Sequence, residues 1–183
     1  MKTPSKSLVF VFLIGTFAGF FASASLNQNN KPADLTANQA VPVNDREYFS
    51  TMKALIDMAN DSVHVSMFEI KWYPDYPDSS MNEILDALIR AKKRGIDVRI
   101  VTDEYLTDKP VLTYLEQNGL DIRYDSEETT THSKLVIIDK KLVMVGSTNW
   151  SFYALEKNNE ANVLIYSEDL AQQYEEYFRQ VWA

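Results

Sequence analysis

His132-Ser133-Lys134-Leu135-Val136-Ile137-Ile138-Asp139, then Leu142-Val143-Met144-Val145, then Gly146-Ser147-Thr148-Asn149: these three neighbouring pieces carry the architecture of the chain. Four consecutive aliphatic residues from Leu135 to Ile138 read as a strand buried on both faces. Leu142 to Val145 reads as its neighbour after a short Asp139-Lys140-Lys141 turn. Side chains alternate along a strand, so the spacing of His132 and Lys134 points an imidazole and an ammonium the same way. Two reactive groups therefore share one surface of a rigid sheet.

Outward from this core the chain alternates between helical and extended patterns. Asn44 is placed to cap a helix in which Tyr48, Met52, Leu55, Ile56 and Ala59 recur at helical spacing. Val63, Val65 and Met67 alternate with His64, Ser66 and Phe68 as a strand with two differently lined faces. A proline-interrupted loop, Trp72 to Asp78, leads to a helix capped by Ser79 or Ser80 that runs through Arg94 and stops at Gly95. Ile96 to Val101 reads as a strand, 109–118 as a third helix ended by Gly119, and Leu120 to Tyr124 as another short strand. The loop Asp125 to Thr131 precedes His132. Beyond Asn149 an irregular stretch is expected, then a strand from Ala161 to Tyr166 and a last helix over 168–182 built on Leu170, Tyr174, Phe178 and Trp182. This order predicts an α/β domain with a central mixed, mainly parallel β-sheet flanked by helices on both faces.

The 183 residues suffice for one domain with a proper core and leave no room for two. Lys2 and Lys6 precede an apolar run from Leu8 to Phe21 that ends in Ala22-Ser23-Ala24, the pattern of a signal peptide, so residues 1–24 are read as a signal peptide or an N-terminal membrane anchor. Either way the domain is expected to be exported, periplasmic or secreted, with membrane association through residues 8–24 where the segment stays as an anchor. Residues 25–43 lack apolar periodicity and read as a flexible linker to a domain at 44–183. The chain has no cysteine, which excludes disulfides and thiolate chemistry. Its formal charge of −8 becomes −10 without Lys2 and Lys6, which argues against a strong general binder of nucleic acid. A local basic groove would have to draw on Arg90, Lys92, Lys93, Arg94, Arg99, Arg123, Lys140 and Lys141. Trp72, Tyr73 and Tyr76 form an aromatic loop patch, read first as core or interface packing.

The pattern His132-x-Lys134-x4-Asp139-x6-Gly146-Ser147-x-Asn149 resembles the HKD motif of the phospholipase D superfamily, with each defining position filled. Asn159-Glu160-Ala161-Asn162 adds a second likeness, at the place where the family holds a glutamate against the histidine. The similarity extends over about residues 44–183, and the size and single motif look most like the short bacterial endonuclease branch. The resemblance implies a phospholipase D-like fold, and a symmetric homodimer that places two His132 in one site.

Hydrolysis of a phosphodiester without metal requires a nucleophile, cations around the phosphate and a proton donor for the leaving oxygen. His132 fits the nucleophile, forming a phosphohistidine, and Glu160 is the acceptor expected to fix its ring. Lys134 is expected to hold a non-bridging oxygen, with Ser147 and Asn149 adding hydrogen bonds and Gly146 allowing close backbone approach. Asp139 completes the motif and joins the catalytic candidates, although a tight-turn position favours a structural part. His64 is the competing acid within one chain, with a structural reading preferred. Two histidines, no cysteine and scattered acids give no compact ligand set, so neither metal nor cofactor is expected and activity should persist in EDTA. The expected function is an exported non-specific endonuclease acting on DNA or RNA. The alternatives are a phospholipase D-type hydrolase of lipid head groups and a non-catalytic module on the same fold.

Overall fold

The computed structural model describes residues 39–183. The expectations for residues 1–24, and for the linker up to residue 38, lie outside the described residues.

The described residues form a sheet of seven strands in the order β1-β7-β6-β5-β2-β3-β4. The strands are β1 (Gln39–Pro42), β2 (Ser62–Met67), β3 (Asp97–Thr102), β4 (Asp121–Tyr124), β5 (Lys134–Ile138), β6 (Leu142–Gly146) and β7 (Asn162–Tyr166). The helices are α1 (Glu47–Met58), α2 (Ser80–Lys93), α3 (Lys109–Gln117), α4 (Phe152–Glu156) and α5 (Glu168–Trp182).

The sheet is mixed, as expected, but its parallel pairing is confined to β2, β3 and β4. The β5–β2, β6–β5, β7–β6 and β1–β7 ladders are antiparallel. The expectation of a mainly parallel sheet is corrected here, and the reason is the turn between β5 and β6. A link this short can only make a hairpin, whereas parallel neighbours need a long crossover. Asp139 and Lys140 both adopt a φ of 54°, as the central residues of a type I′ turn require, and Lys141 N–H donates to the Ile138 carbonyl at 3.0 Å.

Residues 39–43, expected as linker, belong to the sheet. Gln39–Pro42 pairs along β7 from Tyr166 to Val163, and Val43 N–H donates to the Asn162 carbonyl at 2.9 Å. Sequence pattern misses this strand because it lies at the sheet edge with most of its side chains exposed, so no alternation is written into it.

Helices cover both faces. On one side α1, α2 and α3 pack on Val63, Val65, Met67, Ile100, Val136 and Ile138. On the other, Ala171 and Phe178 of α5 meet Val101, Leu135, Ile137 and Val143. The alternation of Leu135, Val136, Ile137 and Ile138 between these two layers is why all four are apolar. Ser79 caps α2 through its hydroxyl, which accepts from Asn82 N–H at 3.4 Å. α1 begins two residues later than an Asn44 cap implies, because Asp45 takes a left-handed φ of 48° and the Asn44 carbonyl accepts from Glu47 N–H. Among the described residues no helix is long and apolar enough to cross a membrane.

Candidate active site

The register of the sheet brings three separated segments to one end. Met67 pairs with Lys134, so Phe68 lies beside the residues that lead into β5, and its N–H donates to the Ser133 carbonyl at 2.9 Å. Leu135 pairs with Val145, which puts Gly146 level with Lys134. Gly146 in turn pairs with Asn162, two residues after Glu160. A bridge between Ile70 and Trp150 draws the Ser147–Asn149 loop alongside, secured by Trp150 N–H to the Glu69 carbonyl at 3.0 Å and Lys71 N–H to the Trp150 carbonyl at 2.9 Å.

His132 precedes the first residue of β5 and is exposed. The Lys134 ammonium stands 3.4 Å from each nitrogen of its ring and donates to the His132 carbonyl at 2.8 Å. The expected shared surface of the two groups is therefore present. Phe68 forms its floor: its ring centroid is 4.3 Å from that of His132, and the ammonium lies 4.6 Å from the same ring. Ser133 points the other way, with its hydroxyl 2.5 Å from that of Ser66. Desolvation against this apolar floor lowers the Lys134 pKa, while the charges of Glu160 and Glu69 act in the opposite sense. Both acids thus lie within electrostatic reach of the ammonium, while Glu69 itself stands 3.8 Å from the Lys71 ammonium.

Glu160 is held in place within the chain. Its carboxylate accepts from the Ser147 hydroxyl and, at 3.0 Å, from the Asn158 amide, and its own N–H donates to Asp45 at 2.7 Å. Its partners here are Ser147 and Asn158 rather than the His132 ring. The Ser147 hydroxyl also accepts from Ala161 N–H at 3.1 Å, so it builds the turn that carries Glu160. Asn149 is half-buried and its Oδ1 meets no hydrogen-bond partner among the described residues, which leaves an acceptor to spare at this end of the sheet.

Gly146 is forced by close packing. A Cβ there would touch the Asn162 Oδ1, and would lie 2.5 Å from the Ala161 carbonyl oxygen and 2.6 Å from the Asn162 Cα. Asn162 is the buried scaffold of the turn: its Oδ1 accepts from Thr148 N–H at 3.2 Å and its amide donates to the Val43 carbonyl at 3.0 Å and the Thr148 hydroxyl at 2.8 Å. The sequence pattern gives Asn162 no role of its own and does not single out Phe68, Glu69 or Asn158 as site residues. A lone aromatic at a strand end carries no signal of its own.

Asp139 requires correction as a catalytic candidate. It sits at the far end of β5 from His132, where its carboxylate accepts from Asn60 N–H at 3.0 Å, Asp61 N–H at 2.7 Å and Ser62 N–H at 3.1 Å. Those amides open β2, so Asp139 ties the hairpin turn to the start of the central strand. His64 is likewise structural. It is buried opposite Ile137, with Nδ1 2.9 and 2.8 Å from the two Glu175 oxygens, Nε2 3.4 Å from Asp97, and Phe178 stacked on its ring at 4.9 Å.

Most of the cations considered for a basic groove are engaged by partners within the chain. Arg90 pairs with Asp57, Arg99 with Asp97, Arg123 with Asp121, Lys140 with Asp61 and Lys141 with Glu168. Arg94 donates to the Ile56 and Ala59 carbonyls, closing the end of α1. In the aromatic loop, Trp72 stacks on Tyr114 at 4.4 Å and the Tyr73 hydroxyl accepts from Phe152 N–H at 3.0 Å, leaving Tyr76 exposed near Phe152 and Tyr153. Away from this site the fold also gathers Asp103, Glu104 and Asp125, a compact carboxylate set that sequence spacing hides because the acids come from two strand ends.

His132 and Lys134 thus stand together at the start of β5, floored by the Phe68 ring, with Glu160 and the Gly146-Ser147-Thr148-Asn149 turn at the same end of the sheet. The chain belongs to the phospholipase D superfamily: residues 52–182 match the family described as "Cardiolipin synthase, PLD-like domain". A phospholipase D of Rickettsia typhi is 27% identical over 95% of this chain and 93% of that protein. The human mitochondrial cardiolipin hydrolase is 34% identical over 49% of this chain, and the match spans only 36% of that protein. Among solved structures, the phospholipase D family member Nuc from Salmonella typhimurium superposes with a TM-score of 0.67 at 29% identity, covering 79% of this chain and 93% of that one.

Proposed function

We propose that the chain is a phosphodiesterase that acts through a phosphohistidine at His132, without a metal in the chemical step, and that it hydrolyses DNA or RNA without sequence preference. The observation that carries this reading is the Lys134 ammonium 3.4 Å from both ring nitrogens of an exposed His132. A phosphate drawn to the ammonium lies within reach of the imidazole.

In the first step a His132 nitrogen bonds to phosphorus and the ester P–O bond breaks. The leaving oxygen takes a proton from a second imidazolium. In the next step water attacks phosphorus, the P–N bond breaks, and the water proton passes to that second imidazole. The described residues offer only His64 otherwise, and it is sealed against Glu175. A two-fold homodimer with both His132 in one site supplies the missing acid. Lys134 and the side-chain amide N–H of Asn149 donate to the phosphate oxygens, and Glu160, held by the Ser147 hydroxyl and the Asn158 amide, is the acceptor for a histidine ring.

The likeness to Nuc over nearly its whole length and the open site support a nucleic-acid substrate. The second reading, hydrolysis of a phospholipid head group, is supported by the Rickettsia and mitochondrial relatives and by the exposed Tyr76, Phe152 and Tyr153, which suit a lipid interface. The test is to incubate the full chain and its His132→Asn variant with single-stranded DNA, RNA and phospholipid vesicles in EDTA, and to measure its mass by light scattering. Cleavage of nucleic acid by a dimer, lost by about 10⁴-fold in His132→Asn, is the expected result. Cleavage of lipid alone would transfer the assignment to the second reading, and full activity in the variant or in a strict monomer would end the mechanism.

A further inference from the structure

β3 and β4 are parallel neighbours, and Thr102 pairs with Tyr124, so the residues that follow each strand emerge side by side. Asp103 and Glu104 leave β3 at the same level as Asp125 leaves β4, and one oxygen from each of the three lies within 4.8 Å of the others. No lysine, arginine or histidine among the described residues forms an ion pair with any of them. Three carboxylates this close repel one another unless something positive lies between them.

Asp103 is fully buried at 0% exposure. Its Oδ1 accepts from Tyr105 N–H at 2.9 Å and Leu106 N–H at 3.1 Å, while its Oδ2 meets no hydrogen-bond donor among the described residues. Asp125 repeats the arrangement: one oxygen accepts from Thr131 N–H, and the other is buried without a donor. A buried carboxylate oxygen with neither donor nor cation is strongly disfavoured. Two carboxylates that each carry such an oxygen, with one oxygen of each and one of Glu104 within 4.8 Å of one another, form a ready set of hard oxygen ligands.

We infer that Asp103, Glu104 and Asp125 bind a hard divalent cation, of which calcium fits best. Calcium accepts irregular sets of carboxylate and water oxygens, whereas magnesium holds to a strict octahedron and gives up its waters reluctantly. The cation is structural. It ties the end of β3 to Asp125, whose second oxygen already holds Thr131, the residue before His132. Occupancy therefore fastens both ends of the Asp125–Thr131 loop that delivers the histidine. The cation stands apart from the phosphoryl-transfer step, so the site holds whether or not the chain is a phosphodiesterase.

The experiment uses the full chain stripped with chelator and calcium chloride alone as the probe. Equilibrium dialysis should count one calcium per chain, and the melting temperature should rise by about 5 °C at a hundredfold excess over the dissociation constant. Hydrogen exchange at residues 126–131 should slow when calcium is added. Glu104→Gln and Asp125→Asn, chosen because neither residue is fully buried, should each weaken binding at least about tenfold. In the absence of calcium they should melt no lower than the parent, because each removes a repelling charge. Absence of stoichiometric binding, with no change in melting, would mean that the acids share a proton instead and would overturn the inference. Parental affinity in both variants would overturn it as well.

Discussion

The Lys134 ammonium and the His132 imidazole lie 3.4 Å apart above one phenyl ring, that of Phe68, because Met67 and Lys134 face each other across the β2–β5 ladder. Ammonium and imidazole are thus brought together at the start of β5, beside the central strand β2. The acids that answer the ammonium, Glu69 and Glu160, arrive from β2 and β7 on either side.

This desolvated setting predicts a pH dependence. The Lys134 pKa is lowered from the ordinary 10.5, chiefly by burial, so the ammonium loses its proton at a lower pH than a free lysine does. The protonated form is the one that binds phosphate. The alkaline limb of kcat/KM should therefore fall below pH 10.5. Lys134→Arg should move that limb upward in any residual activity, because guanidinium stays charged. A limb that stays in place would detach it from Lys134.

Asp139 should behave as a structural residue despite its place in the motif. Asp139→Asn keeps the left-handed turn accessible but weakens the hydrogen bonds to Asn60, Asp61 and Ser62. A loss of about 1–2 kcal/mol in denaturant unfolding is expected, with kcat of the folded protein within about twofold of the parent. A selective loss of kcat at unchanged stability would return Asp139 to the chemistry.

Gly146→Ala forces a methyl group into Asn162 and the Ala161 carbonyl, both backbone-anchored. The β6–β7 pairing must shift, and with it the turn that carries Ser147 and Glu160. Stability should drop by about 1–3 kcal/mol, and kcat/KM should fall further than folding alone explains. A crystal structure of the variant with an unmoved Ser147–Glu160 hydrogen bond would contradict this.

Much of the fold was legible because the strongest signals were local. The aliphatic run 135–138, the Ser79 cap and the glycines at 95 and 119 each fix an element by their own chemistry. What escaped depends on partners distant in sequence. β1 is an edge strand with no apolar alternation, α4 is a short helix in a stretch read as irregular, and the antiparallel half of the sheet follows from the hairpin geometry at Asp139-Lys140. At the site, the i, i+2 spacing of His132 and Lys134 gives their shared face, and their place in a site comes from the likeness to the HKD motif. The floor of Phe68, the Asn158 and Ser147 contacts of Glu160 and the carboxylates of Asp103 and Asp125 exist only once strands are set side by side.

The central claim is that the imidazole of His132 becomes transiently bonded to phosphorus. Rapid acid-free quenching of the full chain during turnover of a radiolabelled phosphodiester, followed by peptide mapping, reads this directly. An acid-labile, base-stable phosphate on the peptide that contains His132, absent from His132→Asn, is the predicted result. A turning-over enzyme with no label on that peptide would contradict the account.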